Sequence, residues 1–387
     1  MRIWLRLTVL VLISSLLLPA YAGAAPSITT HAEAAALIDV QSGRILYSHQ
    51  GDKPMRIASL TKIMTAIVAI ENGRLTDNVK VSKNAAGKEG SSIYLKLGEE
   101  MTLGNMLYGL MLRSGNDAAT AIAEHVGGSL DGFAYLMNQE ARFIGMPNSS
   151  FKNPSGLDED GHRASANDMA RLTAHALKNP VFQEIVKTKV KKAPNPNESW
   201  DYTWLNKNKM LSIYEGADGV KTGYTKLAKR CLVSSATRNG QQLAVVTLND
   251  GDDWADHARL FDYGFKNFPH TKVIGKGDKI QGSNAVAGTT FNYPTASEEA
   301  GGFTTQAVWT DSSTAQYRLG ERGKLIVYLA KNQIGQVPLY DAGSPAMKGV
   351  AESAFGVKDD DSFSSTAAQI FALVRALARA LFTGVTG

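Results

Sequence analysis

One cysteine, Cys231, stands in the 387 residues, so no intrachain disulfide can staple the fold. The seven histidines form no H-x-x-x-H or H-x-H pair, and no metal site or cofactor is expected from them. Basic runs interleaved with aromatics are missing, which removes nucleic acid from the partners to expect. An uninterrupted apolar run of the ~20 residues that span a bilayer is missing too. What remains is ordinary for a globular protein: 44% hydrophobic and 20% charged residues, enough to bury a sizeable core. The length favours two domains. Cys231 lies in the apolar run C-L-V-S-S-A and reads as a packing residue.

The N-terminus has the three parts of an export signal. Arg2 and Arg6 are its positive end, Leu7 to Leu18 its apolar core. Ala20-Tyr21-Ala22 or Ala22-Gly23-Ala24 offers the small-residue cleavage site. Residues 1–24 are therefore expected to be removed and the mature protein to be exported. Losing Arg2 and Arg6 lowers the formal charge from +5 to +3, a mild basicity that suits an anionic wall or membrane.

Alternation over Ala36 to His49, interrupted at Gln41-Ser42-Gly43, predicts two strands. The stretch Arg56 to Arg74 predicts a helix ending at Asn72-Gly73. From Thr102 to about Lys187 the pattern is mostly helical, and Ser165 caps one of these helices. Strands return at Gly219 to Tyr224, Cys231 to Thr237 and Leu243 to Leu248, with Asn239-Gly240 as a hairpin turn. Trp254 to Phe265 is helical. The order fits an α/β (α+β) fold, an antiparallel sheet flanked by helices, over residues 25–268, with an all-helical subdomain at about 75–187. Residues 269–345 read as a small all-β domain with a turn at Lys331-Asn332. A polar hinge, Lys358 to Asp361, precedes an amphipathic segment with Ile370, Val374, Leu377 and Leu381 on one stripe and Arg375 and Arg379 opposite. That segment is expected at the membrane interface; docking on its own β domain is the alternative.

The chemistry starts at S-L-T-K. The helix behind it is apolar on nearly every side, yet Ser59 and Lys62 stand three residues apart at its N-terminal end. That spacing puts the amine within reach of the hydroxyl. Burial disfavours the ammonium and makes the amine a base, which a serine needs to become a nucleophile. The helix N-terminus adds positive potential where an oxyanion would form. S-x-x-K alone is weak, occurring about once or twice by chance in a chain this long. Ser149 to Lys152 also matches, but it lies between Met146-Pro147 and Asn153-Pro154, in a loop with no buried helix behind it. Two further elements single out the first copy. Ser114-Gly115-Asn116 breaks two helical runs and offers a proton relay and an orienting amide. Lys221-Thr222-Gly223 lies on a predicted strand and offers a cation, a hydroxyl and a close backbone approach.

S-x-x-K, S-x-N and K-T-G in this order form the set found in penicillin-binding proteins and class A β-lactamases, with Gly115 in place of the usual Asp. With G-L-M-L-R-S-G-N-D-A-A, F-K-N-P-S-G-L-D and K-T-G-Y-T-K-L-A-K-R, the chain resembles low-molecular-mass penicillin-binding proteins. Within these it is most similar to the serine-type D-alanyl-D-alanine carboxypeptidases (peptidase S11) specific to sporulation in bacilli. The resemblance covers Ala35 to Phe268 and implies a β-lactamase/transpeptidase-like fold. It implies Ser59 as nucleophile, Lys62 as base and Ser114 as proton shuttle. Asn116 would hold the substrate, and Lys221 and Thr222 would bind its carboxylate. The backbone N–H groups of Ser59 and Tyr224, beside Gly223, would form the oxyanion hole, and Gly90-Ser91-Ser92 would line the cleft. Peptidoglycan stem peptides are the implied substrate and β-lactam antibiotics the implied covalent inhibitors.

Three alternatives stay open at this stage. A β-lactamase would need a deacylating glutamate, for which Glu159 is the candidate, though without that family's spacing to an asparagine. An endopeptidase or transpeptidase would use the same residues. A wall-binding scaffold would leave them idle.

Overall fold

The computed structural model describes residues 28–348. The expected leader, the polar hinge and the amphipathic terminal segment lie outside the described residues.

Ala32–Asp39 (β1) shows how the sheet separates two cores. Ala34, Ala36 and Ile38 face one apolar cluster while Leu37 faces another, the period of two that a strand imposes. The chain turns where Asp39 accepts from the amide and hydroxyl of Ser42, at 2.8 and 2.7 Å, and returns as Ile45–His49 (β2). Two short ribbons, Asn78–Lys80 (β3) with Glu100–Thr102 (β4) and Val190–Ala193 (β5) with Tyr202–Leu205 (β6), escape the sequence reading. Strands of three or four residues carry too little alternation to stand out. Ala217–Thr225 (β7), Lys229–Arg238 (β8) and Gln241–Asp250 (β9) complete a five-stranded antiparallel sheet in the order β2-β1-β9-β8-β7. Asn239 and Gly240, both at positive φ, close the β8–β9 hairpin, as a tight hairpin turn requires.

One face of the sheet carries the helices. Thr61–Asn72 (α1) is buried from Thr61 through Ala69. Around it stand Leu103–Tyr108 (α2), Asn116–Gly127 (α3), Leu130–Ile144 (α4), Ala166–Ala176 (α5) and Pro180–Lys187 (α6), of which α3 to α6 touch it directly. Ser165 caps α5 through the amide of Asp168, as its position predicts. Residues 145–165 are irregular, so the helical stretch is interrupted there. On the opposite face, Asp253–Asn267 (α7) buries Leu260 and Phe261 against Leu37, Leu232, Leu243 and Val245.

Beyond α7 the strands form separate sheets. His270–Ile274 (β10), Ala285–Ala287 (β11), Phe291–Pro294 (β12), Phe303–Trp309 (β13), Glu321–Leu329 (β14) and Asn332–Asp341 (β15) give a β10–β12 ribbon and a sheet ordered β11-β15-β14-β13. Leu329 pairs with Asn332, so the turn is Ala330-Lys331, one residue earlier than the sequence suggests. Ala330 takes the positive φ there, a role that composition does not advertise for an alanine. Arg44, in the β1–β2 turn, bonds Pro294 O at 2.7 Å and Glu299 at 2.8 and 2.5 Å, tying this region to the main sheet.

Candidate active site

Ser59 sits in a single 3-10 turn, Ala58–Leu60, that runs into α1. The edge strand β7 packs against that turn. Ala58 has φ +47°, a conformation alanine adopts only when its surroundings impose it. Three groups impose it here. Thr61 Oγ1 donates to Ala58 O at 2.9 Å. His162 Nδ1 accepts from the Lys152 amide at 3.1 Å, which leaves its proton on Nε2 to donate to Thr61 Oγ1 at 2.8 Å. Burial pushes the His162 ionisation down to about 4, so the ring holds this neutral tautomer at physiological pH. Gly156, at φ +81°, packs so closely that a Cβ would lie 1.8 Å from Ala58 O. The nucleophile's turn is thus clamped from the irregular segment that follows α4.

Lys62 is 0% exposed. Its Nζ lies 2.7 Å from Asn116 Oδ1, 2.6 Å from Ser155 O and 3.1 Å from Ser59 Oγ. The Asn116 amide has its orientation fixed, because Nδ2 donates to Glu89 O at 2.7 Å. Two of the three partners of Lys62 can therefore only accept. A neutral amine has two N–H groups and one lone pair; the acceptors take both hydrogens and the lone pair is left for the Ser59 hydroxyl proton. Burial, then the charges of Lys221 and Lys207, hold the Lys62 ammonium well below the usual amine range, against an opposing pull from Asp117. Geometry and electrostatics agree on a base.

Ser114 follows a π-helical turn, Gly109–Arg113, and adopts φ +66°. This irregularity swings its hydroxyl to the cleft that Ser59 also lines. Across the cleft stands β7. Thr222, Gly223 and Tyr224 line it, whereas Lys221 is 1% exposed and donates to Thr222 O at 2.8 Å. Burial, then the charge of Lys207, lowers the Lys221 amine to about 7. A Cβ on Gly223 would come within 3.2 Å of Ser59 N and of Ile57 O, so glycine there lets the strand approach the nucleophile's amide. Gly90, at φ +83°, leaves room for Asn116 Nδ2, 2.7 Å from where its Cβ would lie. Ser91 lines the cleft; Ser92 instead donates to Asp117 at 2.6 Å.

Ser59, Lys62, Ser114, Asn116 and Lys221 to Tyr224 thus gather at or under one cleft of about 370 Å3. Asn116 is buried, and both ends of its amide are occupied by Lys62 and Glu89. The second S-x-x-K copy is elsewhere: Ser149 donates to Asp168, and Lys152 is exposed in the loop. Glu159 is exposed and bonded by Asn153 at 2.8 Å, outside the cleft lining. Sequence reasoning missed three contributors. Lys207 donates to Ser91 Oγ at 3.3 Å. Arg230 and Asp253 form an ion pair on the wall. Arg230 had a readable signal, since β8 pairs it with Tyr224. Lys207 and Asp253 had none. Cys231 is buried on the floor of the cleft with its thiol pushed up to about 12 by burial, an inert group as expected.

A family model described as D-alanyl-D-alanine carboxypeptidase, peptidase S11, matches residues 21–252. The chain belongs to that family. A D-alanyl-D-alanine carboxypeptidase of Bacillus subtilis, DacF, is 38% identical over 247 residues, 61% of this chain and 63% of that protein. The chain therefore spans less than two thirds of that relative. DacC of Escherichia coli K12 is 32% identical over 328 residues, 80% of this chain and 79% of its own. Among solved structures, the carboxypeptidase DacD of Francisella tularensis superposes with a TM-score of 0.63 at 25% identity, covering 85% of this chain and 97% of its own. A mutant Streptomyces K15 DD-transpeptidase gives 0.59 at 32% identity over 62% of this chain and all of that one. These likenesses fit the antiparallel sheet with packed helices described above.

Proposed function

We propose that this protein removes the terminal D-alanine from peptidoglycan stem pentapeptides through an acyl-enzyme on Ser59. The observation that carries the reading is the lone pair of a desolvated Lys62 directed at Ser59 Oγ, 3.1 Å away. Lys62 takes the hydroxyl proton as Oγ adds to the carbonyl of the penultimate D-alanine. The N–H groups of Ser59 and Tyr224 receive the oxyanion; donors already in place stabilise such charge most effectively, and the close approach of β7 to Ser59 N supports that pairing. Ser114 passes the proton to the leaving nitrogen, the C–N bond breaks, and D-alanine departs. Water, deprotonated by Lys62, then adds to the ester and Ser59 regains its proton. Lys221 supplies charge and Thr222 a hydroxyl to the substrate's terminal carboxylate. Asn116 fixes Lys62; to hold substrate as well, its Nδ2 would exchange Glu89 O for the peptide.

The position of Glu159 away from the cleft favours slow deacylation of a penicillin over β-lactamase turnover. The cellular setting we propose is the outer face of the cytoplasmic membrane, reached by the export signal and held by the amphipathic C-terminal segment. The wall that is trimmed is vegetative or spore cortex, the latter on the strength of the sporulation-type resemblance. Intact mass after mixing with penicillin tests the reading. A long-lived adduct on Ser59, absent from Ser59→Ala, together with D-alanine release from a pentapeptide is expected. An adduct lost within seconds would indicate a β-lactamase, and no adduct on folded protein would sink the catalytic assignment.

A further inference from the structure

A second cavity of about 380 Å3 adjoins the cleft, a volume typical of small-ligand sites, roughly 300–1,000 Å3. The two share three strips of chain. Ser91 lines the cleft and Ser92 the second cavity; Ser114 and Arg113 divide in the same way, as do Lys207 and Leu205. The second cavity therefore lies just behind the rim of the catalytic cleft, on the side bounded by Ser91, Ser114 and Lys207.

Its walls are unlike those of the cleft. Trp200, Tyr202 and Trp204 run along it as a ladder, with ring centroids 6.3 Å apart for the first pair and 5.4 Å, stacked, for the second. Trp204 is buried and Tyr202 is anchored by its hydroxyl to Glu99 at 3.0 Å. The outermost ring, Trp200, is 60% exposed, and Tyr94 on the facing loop is 82% exposed. Two large aromatic rings left open to water around one cavity mark a surface kept for a ligand. Between the rings stand a donor, Arg113, a group that both donates and accepts, Asn195, and an ion pair, Lys96–Glu198 at 3.0 Å.

We infer that this cavity binds an amino-sugar ring of the glycan strand to which the stem peptide is attached. Aromatic faces flanked by both donors and acceptors match a pyranose, which has apolar C–H faces and a polar edge of hydroxyl and amide groups. A purely anionic ligand would call for cations alone, whereas here Glu198 stands among them. A purely apolar ligand would make no use of the polar groups of Arg113, Asn195 and Glu198 that line the cavity. Continuity with the catalytic cleft commits the site to a part of the same substrate, so the inference rests on the carboxypeptidase reading and extends it from the peptide end to the glycan.

The test compares two substrates, a disaccharide–pentapeptide and the same pentapeptide without sugar, on the full exported chain and on Trp200→Ala and Tyr94→Ala. Each variant is expected to raise the ratio of KM for the disaccharide form to KM for the free peptide roughly fivefold, the worth of one stacked ring. Either exposed position keeps the test usable should the other variant fold poorly. An unchanged ratio in both variants overturns the inference, whether the separate KM values move together or not at all. If neither substrate releases D-alanine, it is the carboxypeptidase reading that fails. Glycan binding is then read directly, as retention of the protein on peptide-free glycan strands. Retention lost in Trp200→Ala supports the site; retention equal in the variant, or absent from the parent, refutes it.

Discussion

Lys221→Met puts the electrostatics of the site to a direct test. Lys221 is fully buried, and in the folded protein its amine titrates at about 7 against an ordinary 10.5. At 1.36 kcal/mol for each tenfold change in acidity, folding around this amine costs roughly 4–5 kcal/mol below pH 7. Methionine fills much of the same space without charge and gives up only the bond to Thr222 O, worth about 1 kcal/mol. The variant should therefore be more stable by about 3 kcal/mol at pH 6. The sign of the pH dependence follows from linkage. The folded-state ionisation is depressed, so between pH 7 and 10.5 the unfolded chain binds more protons, and the stability of the parent rises with pH through that window. The advantage of the variant should shrink from pH 7 upward and be gone near pH 10.5. Urea unfolding of parent and variant at pH 6, 8 and 10 measures the gap, and taking the difference removes most of the parallel contribution of Lys62. A variant no more stable at pH 6, or a gap that ignores pH, would show that the burial of Lys221 is not energetically adverse. The same substitution should raise KM for a substrate with a free carboxylate, a trade of stability for function of the kind active sites show.

The pH profile of kcat/KM should be a bell, its acid limb set by protonation of Lys62 and its alkaline limb by loss of the Lys221 charge above about 7; Lys221→Met should abolish the alkaline limb and move the acid limb to higher pH, because the charge that presses Lys62 toward neutrality is gone, and a parent profile flat to pH 9 would contradict this. Gly156→Ala places a methyl against Ala58 O at a backbone φ of +81°, and should cost about 2 kcal/mol or more and slow penicillin acylation at least tenfold in whatever fraction folds, read by stopped-flow. Thr61→Val cuts the link from His162 to Ala58 O and should destabilise by about 1–3 kcal/mol, seen as a lower urea midpoint. Arg230→Gln removes the arginine on the cleft wall, and should raise KM for a carboxylate-terminated peptide at least tenfold, the scale of one charge-assisted hydrogen bond, with little effect on the corresponding amide.

Ser59, Lys62 and the K-T-G strand were legible because the residues that act lie on elements whose pattern is strong. The α1 run has no polar face to hide a lysine on, and β7 is nine residues long. The irregular pieces were legible only as breaks. Nothing in Gly109 to Arg113 announces a π-helical turn, and nothing in A-S-L announces a positive φ at Ala58, which Gly156 and His162 impose from a segment distant in sequence. Lys207, Asp253 and the Trp200–Trp204 ladder belong to short elements that meet the site only through the fold. The sequence supplies the reacting groups; tertiary packing supplies their conformation, and a single chain read alone carries no direct trace of it.

The two buried lysines are asked to hold opposite charge states in one site, and their coupling makes that workable. Lys221 and Lys207 both press Lys62 toward neutrality, while Asp117 pulls the other way. Without substrate, Lys221 near neutral pH is itself half ionised, so its push on Lys62 is partial. A carboxylate arriving beside Thr222 stabilises the Lys221 ammonium, since an opposite charge nearby favours the charged form. A fully charged Lys221 then lowers Lys62 further, and the base beside Ser59 is freed of its proton as the substrate docks. Coupling of this kind is reciprocal: deprotonating Lys62 must tighten carboxylate binding by the same factor. One substrate charge thereby sets both lysines, and a peptide whose terminal carboxylate is blocked as an amide loses its rate of acylation as well as its grip on the cleft.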